Sequence, residues 1–175
     1  MPWPAAEGVL ITGVYGSGKS SVAAEITYLL EQRDQPYALL DLDYLGWVGD
    51  HAMGHRIMLR NLAAVAPNYR DAGVEVFVVA YFLRDLNALH SVREALGVPL
   101  RVVRLSVPWP DIEERLASDV TSGRRDDLRD AASSIAEDEG VPPGAVMEQG
   151  VAGRVALPGV CLAVRRTGGI ARMPR

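Results

Sequence analysis

At 175 residues, 49% of them apolar and 23% charged, the chain has the length and composition of one globular domain with its own core. One cysteine, Cys161, excludes an internal disulfide framework and a zinc site built from cysteine pairs. The net charge of −4 argues against a nucleic-acid partner, and the lack of any run of about 18 apolar residues argues against a membrane span.

Met1–Glu7 has neither the basic start nor the apolar stretch of a signal peptide, so the expectation is a cytoplasmic protein. Seventeen of the 18 basic residues are arginine, which makes the one lysine, Lys19, more informative than any single arginine. Charge is also split along the chain: residues 151–175 carry five arginines and no acid, while all 22 acids precede them.

In chain order, Val9–Thr12 is a short continuous apolar run, as in a strand covered on both faces. A glycine-rich turn follows, and then Val22, Ile26, Leu29 and Leu30 fall at helical spacing until Asp34-Gln35-Pro36. Tyr37–Leu42 reads as the second strand. The next helical stretch carries Met58, Leu62, Val65 and Tyr69 on one stripe, with a bend or restart expected at Pro67 and a C-terminal stop at Gly73.

Val74–Phe82 is the strongest strand signal, rich in valine and aromatics. Asp85 can cap a helix to Leu96 that Gly97 and Pro99 end, and Leu100–Val107 reads as a fourth strand. Asp111 is expected to cap a helix with Ile112, Leu116 and Val120, which Ser122-Gly123-Arg124-Arg125 interrupts. From Gly140 the sequence reads as loop, with a last strand near Gly159–Val164. Alternation of short apolar runs with helical patterns is the mark of an α/β fold around a parallel sheet.

Gly13-Val14-Tyr15-Gly16-Ser17-Gly18-Lys19-Ser20 matches G-x-x-x-x-G-K-[ST] at every fixed position. The glycines let successive N–H groups turn inward around an anion, and the helix that begins near Lys19 adds its positive end. In such a loop Lys19 reaches the terminal phosphates, the Ser20 hydroxyl is a ligand for Mg²⁺, and Ser21 continues the nucleotide-binding segment. The order strand, loop, helix is the context this motif requires. A GTPase is disfavoured, because no second lysine exists for a base-reading N-K-x-D motif.

Asp41-Leu42-Asp43 ends the second strand, and in an extended chain residues i and i+2 share a face. One carboxylate can hold Mg²⁺ and the other can take the proton of an attacking hydroxyl. No acid ends the third strand, which favours Asp41 for the metal. Turn and cap roles are the plainer alternative for both residues.

These residues resemble the small P-loop kinases that include adenylylsulfate, shikimate and gluconate kinases and chloramphenicol phosphotransferase. The resemblance rests on Gly13–Ser20, the Asp41/Asp43 pair and a possible arginine lid, and it spans roughly residues 8–140. It implies a three-layer P-loop NTPase fold, with a five-stranded parallel sheet between helices and a small lid. It implies ATP and Mg²⁺, Lys19 and Ser20 on the nucleotide, Asp43 as base toward a small-molecule hydroxyl, and a monomer or homodimer. Residues 1–150 would form the kinase-like domain and 151–175 a divergent segment, a last strand plus a basic tail. An ATP-binding regulatory protein without transfer activity is the alternative.

Arg124 and Arg125 are the lid candidates, with Arg115 a weaker one, and Arg84 is a candidate substrate contact. Adenylylsulfate kinases carry an arginine where this chain has Gly46, so adenylylsulfate itself is a doubtful acceptor. Tyr44, Leu45 and Trp47 point instead to a partly apolar or aromatic acceptor pocket, with core packing as the alternative. His51 and His55 can share a helix face, but no third metal ligand is evident, and substrate contact or simple exposure suits them better.

Overall fold

The structure is a computed structural model that describes residues 6–117, 147–149, 153–157, 160–164 and 170–172. Its elements are β1 (Glu7–Thr12), α1 (Lys19–Glu31), β2 (Tyr37–Asp41), α2 (Leu42–Leu45), α3 (His51–Asp71), β3 (Val76–Ala80), α4 (Leu86–Leu96), β4 (Leu100–Leu105) and α5 (Trp109–Ala117). Four short strands follow: β5 (Met147–Gln149), β6 (Gly153–Leu157), β7 (Val160–Val164) and β8 (Ile170–Arg172).

The main sheet runs β2-β3-β1-β4 with every pairing parallel, and β5 adds a short parallel pairing outside β4. The sheet expected to have five strands thus has four of five or six residues and a three-residue strip in the fifth place. Parallel strands bury both faces, and the cores divide by strand alternation. Leu10, Phe77, Val79 and Val102 point toward α3 and α4, where Met58, Leu62, Ala66, Leu89, Val92 and Leu96 meet them. Val9, Ile11, Val76, Val78 and Val103 point the other way, onto Val22, Ala23, Ile26 and Leu30 of α1. Each such side chain contributes about 1.5–3 kcal/mol when fully buried. The sheet is therefore held rigid between two helical layers, and its C-terminal edge, where β1, β2 and β3 end together, is a fixed platform.

Several boundaries follow the expected signals. Asp85 caps α4 through Ala88 N–H at 2.7 Å, and Gly97 ends it in the left-handed region at φ 69°. Gly73, at φ 87°, follows the end of α3 in the same way.

Other boundaries differ from the sequence expectations. The restart expected at Pro67 does not occur: α3 runs 21 residues through it. Met58, Leu62 and Ala66 anchor the helix on the core around the proline, and that packing outweighs one lost backbone hydrogen bond. The buried stripe accordingly holds Ala66, while Tyr69 is partly exposed and meets Phe77 edge-on. Asp111 does not cap α5. The helix starts two residues earlier, where the Pro108 carbonyl accepts from the N–H groups of Asp111 and Ile112, and Asp111 becomes an acid of the first turn.

The strand expected near Gly159–Val164 exists as β7, but it lies in a separate antiparallel sheet, β6-β7-β8. β5 falls where the sequence read as loop. The interruption at Ser122–Arg125, including both lid candidates Arg124 and Arg125, lies outside the described residues. Among the described residues no helix is long and apolar enough to cross a membrane.

Candidate active site

Between β1 and α1 the chain turns through Gly13, Gly16 and Gly18, at φ 148°, 77° and 94°, angles that a side chain tolerates poorly. At Gly13 space is short as well: a Cβ would lie 2.7 Å from the Leu105 carbonyl oxygen and 2.8 Å from Ser17 Oγ. The turn delivers the chain into α1 at Gly18, which offers no side-chain cap, and no acid sits in the first helical turn. The positive end of α1 is therefore left to whatever lies in the loop. Ser17 is buried, and its Oγ has no hydrogen-bond partner among the described residues.

Lys19 is only 8% exposed. Its Nζ donates to the carbonyl oxygens of Gly13 at 2.7 Å and Val14 at 3.1 Å, with the Tyr15 ring centroid 5.2 Å away. The ammonium is thus curled inside its own loop and held by three of that loop's residues. From the other side Arg115 of α5 donates to the Gly16 carbonyl at 3.2 Å. Ile112 and Leu116 of the same helix pack on Val14, which fixes α5 against the loop.

β2 brings the acids in. Its last residue, Asp41, has one carboxylate oxygen 3.2 Å from Ser20 Oγ, which donates to it, while the other oxygen accepts from the Asp43 N–H at 3.2 Å. That second bond makes Asp41 the N-cap of α2, so Asp43 stands in a helical turn and not on the strand. Asp41 and Asp43 therefore do not share the face of an extended chain, which corrects the expectation: the cap bond outcompetes one more strand residue. Burial and the neighbouring Asp41 charge raise the Asp43 carboxyl above its ordinary value, against the opposing pull of Lys19.

α2 is seated on α3 by backbone. A Cβ on Gly46 would lie 2.6 Å from the Gly54 carbonyl oxygen and 2.9 Å from Met58 Cβ, and one on Gly54 would lie 2.9 Å from the Gly46 oxygen. Asn61 Nδ2 donates to the Leu45 carbonyl at 2.7 Å and completes the seat. The Gly46 position thus has no room for the arginine that adenylylsulfate kinases carry there. Leu45 packs on the core as expected of a core residue, whereas Tyr44 and Trp47 are 69% and 76% exposed.

Tyr81 and His55 were not legible as partners in the sequence. Tyr81 extends β3 past Ala80, the register partner of Asp41, and its N–H donates to the Ile11 carbonyl at 3.1 Å. Its phenol oxygen lies 3.0 Å from His55 Nδ1, and the two rings lie nearly parallel. Burial and the Asp43 charge raise the Tyr81 phenol, and Arg84 counters them. The sequence offered a tyrosine at the tip of the strongest strand and His55 as a separate candidate contact; they stand 26 residues apart, and only the fold joins them. Thr12 was also missed: it is buried, and its Oγ1 accepts from the Leu83 N–H at 2.9 Å, which ties the ends of β1 and β3 together. His51 and His55 both lie on α3, and among the described residues no cluster of three or more metal-ligating side chains exists.

No protein-family model matches the chain, and no curated protein matches it in sequence. Solved structures do match in fold. A putative fructose transport system kinase from Silicibacter sp. TM1040 superposes with a TM-score of 0.55 at 16% identity, covering 81% of this chain and 89% of its own. The Mycobacterium tuberculosis APS kinase, solved in complex with AMPPNP and APS, superposes with a TM-score of 0.50 at 24% identity, covering 72% and 75%. The fold is P-loop kinase-like: a parallel sheet between helices, with a glycine-rich loop where the first strand meets the first helix.

Proposed function

We propose that the protein transfers the γ-phosphoryl group of ATP to a hydroxyl of a small molecule. The observation that carries this reading is the convergence of three groups at one strand edge. These are the glycine loop with the uncapped start of α1, the Ser20–Asp41 contact, and Asp43 two residues farther on in α2. The fold shared with kinases supports it.

In this reading the backbone N–H groups of Gly16 to Ser20 hold the β- and γ-phosphates. Lys19 exchanges its two carbonyl partners for phosphate oxygens, which are stronger acceptors because they are charged. The buried Ser17 hydroxyl is a further donor beside the same anion. Ser20 and Asp41 offer hard oxygen donors 3.2 Å apart, a set that fits Mg²⁺ and leaves its remaining positions to phosphate and water. Bound there, the ion supplies charge neutralisation on the phosphates.

Arg115 already lies on the loop through the Gly16 carbonyl and can turn to the nucleotide from the α5 side; Arg124 and Arg125 remain lid candidates. Asp43 faces the acceptor. Its carboxylate takes the proton of the attacking hydroxyl, and its raised pKa makes that carboxylate a stronger base than an ordinary aspartate. Transfer then depends mainly on position: an acceptor oxygen in line with the γ-phosphorus, between the loop and α2.

The test is incubation with ATP and Mg²⁺ and a panel of alcohols, with phosphorylated product as the readout. Product formation that is lost in both Lys19→Ala and Asp43→Asn is expected. Nucleotide binding with no transfer to any alcohol would favour a regulatory ATP-binding protein, and transfer undiminished in Asp43→Asn would remove the base.

A further inference from the structure

The peptide unit between Gly16 and Ser17 is held at both ends. Its N–H donates to the Val14 carbonyl at 3.1 Å, which closes a turn through Tyr15 and Gly16. Its carbonyl accepts from Arg115 Nη1 of α5 at 3.2 Å. In a trans peptide the C=O and N–H point in opposite directions, so two bonds at opposite ends fix the orientation of the plane.

That plane governs its neighbours on both sides. Gly18, the next residue but one, is the N-cap position of α1, whose first amides have no side-chain cap. The Val14 carbonyl that receives the Ser17 N–H also receives Lys19 Nζ at 3.1 Å, and the Tyr15 ring carried by the turn lies 5.2 Å from the same ammonium. Turning this one plane would re-aim the amides that lead into α1 and change what Lys19 rests on.

The chain itself restrains the plane little, because Gly16 and Gly18, at φ 77° and 94°, have no Cβ to limit rotation. Restraint comes from α5. A Cβ on Gly16 would lie 3.2 Å from Ile112 Cγ2 and 3.2 Å from Leu116 Cγ, so the apolar face of the helix abuts the glycine directly. Val14 packs on the same two side chains. Residues 112, 115 and 116 share that face of the helix, and Arg115 brings a charged donor from it to the Gly16 carbonyl.

We propose that Arg115 is a positioning residue for phosphate binding: it acts from behind the loop, on the Gly16 carbonyl, and so presets the amides that receive the anion. It works through the backbone and does not itself touch the nucleotide. The inference rests on the reading of Gly13–Ser20 as the phosphate site.

The experiment uses the full chain as parent, Arg115→Met and Arg115→Lys. Calorimetry with Mg²⁺ and AMPPNP, ADP or inorganic pyrophosphate measures binding. Hydrogen exchange of the Ser17 amide in the nucleotide-free protein reports the turn. Arg115→Met keeps a long stem and removes the donor. It is expected to weaken all three ligands by a similar factor, about three- to tenfold, and to speed Ser17 exchange while the Ile26 and Leu30 amides of α1 keep their rates. Arg115→Lys, which retains a cationic donor, is expected to bring both readouts back toward the parent.

A loss confined to AMPPNP, or to the two nucleotides, would overturn the proposal, because the arginine would then touch the γ-phosphate or the nucleoside. Weaker binding with unchanged Ser17 exchange would overturn it too, since charge alone would then account for the effect. Unchanged binding of all three ligands in Arg115→Met has the same consequence. Failure of the phosphate-site reading looks different: the parent itself then binds none of the three, and the proposal falls with it.

Discussion

The two ends of the proposed site are built by different means. At the nucleotide end the main chain makes the site: three glycines at positive φ, a helix start without a cap, and one lysine folded onto two carbonyls. Around α2, where the acceptor is proposed to sit, the Asp41 cap bond, the Asp43 carboxyl and the Gly46–Gly54 contact that seats α2 on α3 make it. A backbone site suits one invariant ligand, a polyphosphate. A side-chain site can be re-cut for each acceptor without disturbing the loop, because the loop takes its shape from its own backbone.

Substitutions at each end should therefore fail in different ways. The largest effect is expected for Asp43→Asn, with acceptor phosphorylation falling by about 10²–10⁴ while nucleotide affinity holds, as steady-state kinetics and calorimetry would show. Lys19→Ala should reduce turnover by about 10²–10³ and weaken the nucleotide as well, which puts its failure at the other end of the site. Equal loss of nucleotide affinity in both variants would erase the distinction between the ends.

Gly46→Ala probes the seat. A Cβ 2.6 Å from a backbone oxygen cannot be absorbed by a rotamer change, so α2 must move. A stability loss of about 1–3 kcal/mol is expected in denaturant unfolding, together with reduced acceptor turnover and unchanged AMPPNP affinity.

The smallest effect concerns stability against pH. The Asp43 carboxyl is raised above its ordinary 3.8 in the folded chain, so the folded state binds its proton more tightly than the unfolded state does. That difference lowers stability as pH rises from the unfolded value through the raised folded one, and the full cost is present above it. Asp43→Asn should therefore melt higher than the parent at neutral pH, and the gain should disappear as pH falls toward 3.8. Transfer activity in the parent should run the opposite way, falling as pH drops through the raised value and the base becomes protonated.

The same contrast explains what could be read from the sequence. Gly13–Ser20 was legible because its chemistry depends on residue types at fixed spacing along one stretch of chain. The β1–α4 core was legible because continuous apolar runs such as Val76–Ala80 and helical spacing such as Val22, Ile26 and Leu30 can be read along the chain. Asp43 was found, but its geometry was not. Whether a chain leaves a strand at Asp41 or at Asp43 turns on one side-chain cap bond, which spacing does not encode. His55 and Tyr81 could not be paired, because only the tertiary arrangement of α3 beside β3 brings them within 3.0 Å. At Pro67 local propensity lost to packing, and β6–β8 are antiparallel pairings that short apolar runs do not distinguish from parallel ones.

The central claim is that the loop from Gly13 to Ser20 grips the phosphates of ATP. Titration calorimetry of the folded chain with AMPPNP and Mg²⁺ tests it most directly. Saturable binding that Lys19→Ala weakens is the expected result; heats of dilution alone, with ATP and GTP analogues alike, would contradict the account.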